Sequence, residues 1–498
     1  MPEEIRLVRS SVVLYGVIIW RLFVSAGYAV VVARRLSVDD FALLGLVIAF
    51  SMVFMWPIHT WLYWAQRAAA RELASGEKRA GVTGLAVTVA YTLVIIPVYT
   101  AVAWAEARVL GYGLGGLLMG LAYIAIIPLN NYLSGIAGVV YPESIAAARL
   151  LADTTRLVLA ILLVTLMGLG YEGAIVSLAL SAIVAGGTLT LLLYKRGTLK
   201  GRVDWSLARA WLRAYYTPGL KALIGIVRFL TRPFISWTTG NPEAVAYLHA
   251  GLAGESPLVQ ASTYTAGPLY SRMLRNPKPE DVTTSLGLYL VFTGFLVTAF
   301  IGLSKPIATT YNPVYAPAWV SVSGVAIYAF LYGIANILSY ALTALDESDR
   351  KAPPVGRGTL MARVLETSLL FLLLAYAISA PATYLLRRMP ANAVIAFLGI
   401  LAGASLAQVI VFSKWLHERL PFRAPTRELA GFLAGGLAAI AYYHLTGASD
   451  MIVYKFTRDV WPLLLHLAVS GVLFYAVMIT VSPLARGLIR RLFRMITG

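Results

Sequence analysis

The sequence predicts an all-α polytopic membrane protein with about fourteen transmembrane helices, and three observations carry that reading. Apolar runs of about twenty residues, the length that crosses a ~30 Å hydrocarbon core as a helix, recur from end to end. Only 13% of the 498 residues are charged, about half the fraction usual in a soluble chain. Lys and Arg alternate between rich and poor loops, as they do when successive loops lie on opposite sides of a membrane. No stretch sustains the apolar–polar alternation of an outer-membrane barrel strand.

The first run, "SSVVLYGVIIWRLFVSAGYAVVVARRL", gives a span near 10–33. Five more follow near 41–64, 81–104, 113–135, 149–169 and 174–195. A basic loop, Lys195–Tyr215, precedes spans near 216–239, 243–271, 284–304, 317–344, 359–380 and 391–415. The eighth is interrupted by "GLAGESPLVQ" and is either kinked or two half-helices. Two last spans, near 427–447 and 461–485, lead into the basic tail "ARGLIRRLFRMITG". About 29 of the 41 basic residues fall in the loops that share a side with both termini, and about 8 in the opposite loops. Both termini are therefore expected in the cytoplasm, with the chain multi-pass in the plasma membrane. The opening "MPEEIRLVRS" carries two Glu, and no small-residue cleavage site follows the first run, so that run reads as a retained helix.

The loop asymmetry accounts for the net charge of +18 and removes the case for nucleic-acid binding. With no cysteine, disulfides, thiolate metal sites and cysteine catalysis are excluded. No metal-ligand spacing, nucleophile triad, phosphate-cradling loop or ATP-binding motif is present, so no cofactor is expected and the chain is not read as an enzyme. The acids of the expected outer loops, Glu106, Glu172, Glu243, Asp450 and Asp459, are isolated from one another. Short loops without paired carboxylates argue against a membrane glycosyltransferase or polymerase.

"IIWRLFVSAGYAVVVARRLSVDDFALLGLVIAF" can be laid on "GIVRFLTRPFISWTTGNPEAVAYLHAGLAG", which puts Arg21 on Arg228. Both copies enter from the cytoplasmic side, so the repeat is parallel. It divides the chain into two pseudo-symmetric six-helix lobes, 1–200 and 201–420, with a C-terminal addition at 421–498 that holds the last two helices and the tail.

Arg21 lies at the centre of the first span, where a charge costs ~2.5–3.5 kcal/mol or more. Snorkelling cannot fully carry its guanidinium to an interface ~15 Å away. Ser25 and Tyr28, at i+4 and i+7, extend it into a polar stripe. In the seventh span Lys221, Gly225, Arg228 and Arg232 share one helical face. Three cations on one face favour an anionic guest, and the arginine fork suits a phosphate or diphosphate. The plainer readings are an arginine bonded to a nearby carbonyl or carboxylate, and Lys221 at the cytoplasmic interface. Pro233 is expected to kink this helix. Asp153, Glu366 and His59 are candidates for Na⁺ or H⁺ coupling; Asp153 equally fits an ion pair with Arg149 or Arg156 by helical spacing. Asn130, Asn131, Asn336 and Gln408 fit sugar hydroxyls or cross-helix bonds. The cluster "MWPIHTWLYWAQR" reads first as an interface belt.

"VVARRLSVDDFALLGLVIAF", "AQRAAARELASGEKRAG" and "YALTALDESDRKA" resemble segments of the multidrug/oligosaccharidyl-lipid/polysaccharide (MOP) flippase superfamily, in its polysaccharide-export branch. They match that branch's first helix ending in Ala-Arg-x-Leu, the basic loop after the second helix, and the end of the tenth. The chain departs at "FALLGL", where Gly often stands beside the Phe. The resemblance implies two six-helix lobes, alternating access, and transfer of a lipid-linked oligosaccharide from the cytoplasmic to the outer leaflet. Its partners would be that substrate and membrane lipids, with the chain a monomer. A multidrug or cation exporter of the same superfamily is the alternative, but such cargo calls for acids where this chain places arginines.

Overall fold

The computed structural model describes residues 20, 24–25, 27–75, 79–110, 113–252, 255–275, 277–346 and 359–497. The described parts of the fourteen expected spans are largely helical, with non-helical residues at a few positions such as Gly120, Leu230 and Leu303, and no strand occurs among the described residues. The first helix, α1, is described at 24–25 and 27–33. There follow α2 (Val38–Met55), a 3₁₀ turn (Trp56–Ile58), α3 (His59–Ser75), α4 (Ala80–Leu110), α5 (Leu114–Met119) and α6 (Leu121–Val140). Next come α7 (Pro142–Ala160) with a π-helical turn at Ile161–Leu166, α8 (Gly170–Lys195), α9 (Trp205–Arg213), α10 (Tyr216–Phe229) and α11 (Thr231–Thr239). Then α12 (Pro242–Leu252), α13 (Glu255–Arg275), α14 (Pro279–Gly302), α15 (Ser304–Tyr311) and α16 (Trp319–Ala344). The series ends with α17 (Leu360–Leu385), α18 (Pro390–Arg419), α19 (Thr426–Leu445), α20 (Phe456–Val481) and α21 (Pro483–Thr497).

Nine helical segments among the described residues are long and apolar enough to cross a membrane, and they correspond to the second, third, fourth, sixth, ninth to twelfth and fourteenth expected spans. Of the other five, the first is described only in part, and the fifth, seventh, eighth and thirteenth are helical but shorter, interrupted or more polar. The fifth span carries Asp153 and Arg156 on α7 and ends in the π turn. The eighth is described as α12 and α13, with residues 253–254 between them outside the described residues. The thirteenth, α19, is 20 residues long and opens on Arg427 and Glu428.

The seventh span is two helices, and the chemistry of Pro233 dictates where it breaks. Proline has no N–H to give the carbonyl four residues earlier, and its ring crowds that carbonyl. That carbonyl belongs to Phe229, the last residue of α10. Leu230 leaves the helical track (φ −71°, ψ 2°) and α11 starts at Thr231. The break thus falls three residues before the proline that causes it. Gly240, at φ +61°, closes α11 in the left-handed conformation that only glycine adopts freely.

The chain forms two compact units, Met1–Ala246 and Tyr247–Gly498. In the first, α6 lies against α2, α3, α4, α7 and α8. Its core joins Ile58, Trp61 and Leu62 to Tyr132, Leu133 and Ile136, with Leu189, Leu193 and Trp211 closing the periphery. Both halves of the seventh span belong to this unit: α10 packs on α2, the 3₁₀ turn and α3, and α11 packs on α2. In the second unit, α16 is the hub for α13, α14, α17 and α18. The last two spans, α19 and α20, pack on each other and on α14, with Phe474 and Met478 of α20 buried beside Val291. Lipid tails are as apolar as leucine, so close approach and cross-helix hydrogen bonds hold such spans together, at about 0.6 kcal/mol per bond. The Trp61 indole donating to Thr88 Oγ1 at 2.9 Å is one of these.

Two features of the basic loop and tail were not anticipated from sequence. Asp204 caps α9, accepting from the Ser206 and Leu207 amides, and pairs with Arg79 at 3.4 Å. α21 continues the tail as a helix whose described side chains include exposed Arg486 and Arg490.

Candidate functional site

Polar side chains within the expected spans of the first unit gather in three places. The first joins α1 to α7. Arg156 donates from Nη2 to Ser25 Oγ at 2.9 Å. Its guanidinium lies over the Tyr28 ring at 4.9 Å from the centroid, and it pairs with Asp153 at 3.3 Å. The Tyr28 hydroxyl donates to the Ala174 carbonyl of α8 at 3.3 Å, and Trp20 Nε1 donates to Thr154 Oγ1 at 3.3 Å. The stripe read from the first span therefore faces α7 at Ser25 and Tyr28, and the cation it meets is Arg156. Arg21 lies outside the described residues. Asp153 is buried and engaged by Arg156, the i,i+3 pairing that helical spacing offered.

The second place is the seventh span. Lys221 is exposed, and its charge reaches His59. His59 is half-buried and stacks on the Trp56 indole, ring centroids 4.4 Å apart. Gly225 faces the same indole: a Cβ there would lie 2.0 Å from Trp56 Cδ2. Arg228 is half-buried in the last turn of α10, and Arg232, 8% exposed, sits in the first turn of α11. The two arginines thus flank the break at Leu230.

The third place joins α4 to α11. Glu106, near the end of α4, is 5% exposed. Its Oε1 accepts from Trp237 Nε1 at 2.7 Å, while Oε2 is buried without a hydrogen-bond partner. Sequence reasoning missed this contact. It counted Glu106 as an isolated outer acid, and nothing local signals a donor 131 residues away.

The other polar candidates lie at these positions. Asn130 Nδ2 donates to the Ala182 carbonyl at 2.8 Å, and Asn131 Nδ2 contacts Met55 Sδ. In the second unit Asn336 Nδ2 donates to Ser262 Oγ at 3.1 Å, and Gln408 Nε2 reaches the Ser368 carbonyl at 3.4 Å. Glu366 is half-buried on α17, two residues before Ser368. Among the described residues no cluster of His, Asp or Glu has the makings of a metal site.

No family model and no curated protein matches the chain. Solved structures do. The lipid II flippase MurJ in an inward closed conformation superposes with a TM-score of 0.62 at 14% identity, covering 95% of this chain and 100% of that one. The fold is that of the MOP superfamily. An inward-facing multidrug resistance MATE family transporter of that superfamily gives a TM-score of 0.62 at 15% identity, over 80% of this chain and 94% of its own. A MOP superfamily transporter from Pyrococcus furiosus, described by a binding pocket of reverse polarity, gives 0.56 at 16% identity, over 83% and 94%. The MOP fold agrees with the architecture read from the sequence and makes the chain a multi-pass membrane protein.

Proposed function

We propose that the protein is a flippase for a lipid-(di)phosphate-linked oligosaccharide. In this reading the anionic headgroup is held by intramembrane arginines, Arg228 and Arg232 of the seventh span together with Arg21, while the lipid tails stay in the bilayer. The lobes 1–200 and 201–420 alternate in access, driven by a Na⁺ or H⁺ gradient, and the chain works as a monomer in the plasma membrane with both termini in the cytoplasm. Lys221, exposed, would meet the headgroup at the cytoplasmic boundary, and Ser25 and Tyr28 would orient the cation beside them. The observation that carries the reading is the burial of Arg232 beside the break between α10 and α11, in the seventh expected span. A guanidinium at membrane depth is costly and marks functional positions, and its planar fork can bond two phosphate oxygens at once. The likeness in fold to a lipid II flippase is consistent with a lipid-linked substrate.

The test is transfer of a fluorescent lipid-diphosphate oligosaccharide across proteoliposomes. A hydrogen bond to a charged group contributes about 1.5–3 kcal/mol, so Arg232→Ala should slow transfer about 10- to 150-fold. Arg232→Lys, a point charge without the fork, should fall between. Wild-type rates in both Arg228→Ala and Arg232→Ala would refute the headgroup site.

A further inference from the structure

Glu106 has no part in the headgroup site, yet its setting is unusual. One carboxyl oxygen is held by the Trp237 indole at 2.7 Å, and the other is buried with no donor. A charged carboxylate in that state has lost water and gained one hydrogen bond, which leaves most of its desolvation cost uncompensated. The titratable and charged groups on the surrounding helices are committed elsewhere. On α4 itself, the Tyr99 hydroxyl donates to the Leu117 carbonyl at 2.6 Å, and the Arg108 guanidinium lies over Trp104 at 3.6 Å. On α6, Tyr132 donates to the Gly81 carbonyl at 3.0 Å. Arg232 is at the opposite end of α11, five residues from Trp237.

We propose that Glu106 is a cation-binding site, taking a proton or Na⁺ on Oε2, and that its occupancy controls the docking of α11 through Trp237. With the cation bound, the carboxyl stays buried and the indole stays on Oε1. With it released, the charged carboxylate is driven towards water, and the nine-residue helix that carries both Trp237 and Arg232 is freed from α4. The break at Leu230 lets α11 respond without moving α10. The inference rests on the flippase reading only in giving Arg232 a substrate; the cation site stands without it.

The experiment uses the full-length protein in lipid nanodiscs and follows tryptophan emission in two series, one against pH without Na⁺ and one against Na⁺ at fixed pH. Subtracting the Trp237→Phe signal isolates the indole on Glu106. Wild type is expected to show a transition in at least one series, the pH series identifying the proton and the Na⁺ series identifying sodium. Glu106→Gln, checked for an unchanged elution profile, should lose it. Glu106→Asp should keep a transition with its midpoint displaced tenfold or more in cation concentration. Should Glu106→Gln fail to fold, Glu106→Asp decides alone: an unshifted midpoint overturns the proposal. So does a wild type silent in both series, or a Glu106→Gln that titrates like wild type. No arm uses a lipid-linked sugar. A transition lost in Glu106→Gln, beside wild-type transfer rates in both Arg228→Ala and Arg232→Ala measured separately, would sink the headgroup site and leave the cation site intact.

Discussion

Gly225→Ala sets two effects of opposite sign against each other. In a helix interior alanine is favoured over glycine by about 1 kcal/mol, so the change should stabilise α10 by itself. The neighbouring indole reverses this. The added Cβ would sit 2.0, 2.3 and 2.4 Å from Cδ2, Cε3 and Cε2 of Trp56, where ordinary contact is 3.4–4 Å. At least about 1.4 Å must be recovered, by a flat, rigid side chain already stacked on His59 and tilted against Phe229, centroids 6.3 Å apart. Overpacking of this kind costs about 1–3 kcal/mol, and the size of the overlap points to the upper part of that range. The single variant should therefore lose about 2 kcal/mol. In a Trp56→Ala background the obstruction is gone, and the same Gly225→Ala should gain up to about 1 kcal/mol. The coupling between the two positions is then about 3 kcal/mol, at the top of the range for contacting residues. Reversible unfolding in mixed micelles, read by circular dichroism on all four members of the cycle, measures it. Equal effects of Gly225→Ala in both backgrounds would refute the packing of α10 on the Trp56 turn.

Two further expectations follow from contacts in the first unit. Arg156→Gln removes the partner of buried Asp153 and the donor to Ser25; it should cost about 3–5 kcal/mol, and adding Asp153→Asn should restore much of that, because the uncompensated charge goes with it. Asp204 is held below the ordinary aspartate range, first by the Ser206 hydroxyl and then by the Leu207 amide. Its cap on α9 is therefore fully present above the ordinary range and lost as pH falls through the depressed folded value. Hydrogen exchange at the Ser206 and Leu207 amides, corrected for intrinsic rates, should stay protected to below the usual aspartate midpoint in the wild type. In Asp204→Ala the protection should be weak at every pH.

Run length made the helices legible, because a bilayer asks for about twenty apolar residues at a time and punishes every departure. The Asp153–Arg156 pair was legible for a similar reason: helical spacing alone brings them together. The break in the seventh span could be read from Pro233, since a proline disables the carbonyl four residues back wherever it occurs in a helix. Contacts between distant helices were not legible. Which face of α1 meets Arg156, and that the Trp237 indole reaches Glu106, depend on how each helix is rotated about its axis. Runs that are apolar all round carry little of that information, and α4 and α8 are of this kind. α9 escaped notice because the basic loop that holds it is too polar to register as a span, although its alternating Trp, Leu and Arg mark an amphipathic helix.

Breaking the seventh span at Leu230 creates two new helix ends inside the protein, and the ends carry opposite partial charge. The aligned peptide dipoles leave about half a negative charge at the C-terminus of α10 and half a positive charge at the N-terminus of α11. Arg228 stands in the last turn of α10, so the backbone's own field helps to neutralise it. Arg232 stands in the first turn of α11, where the same field adds to its charge. Two arginines only four positions apart thus stand in opposite backbone fields, one at the negative end of α10 and the other at the positive end of α11.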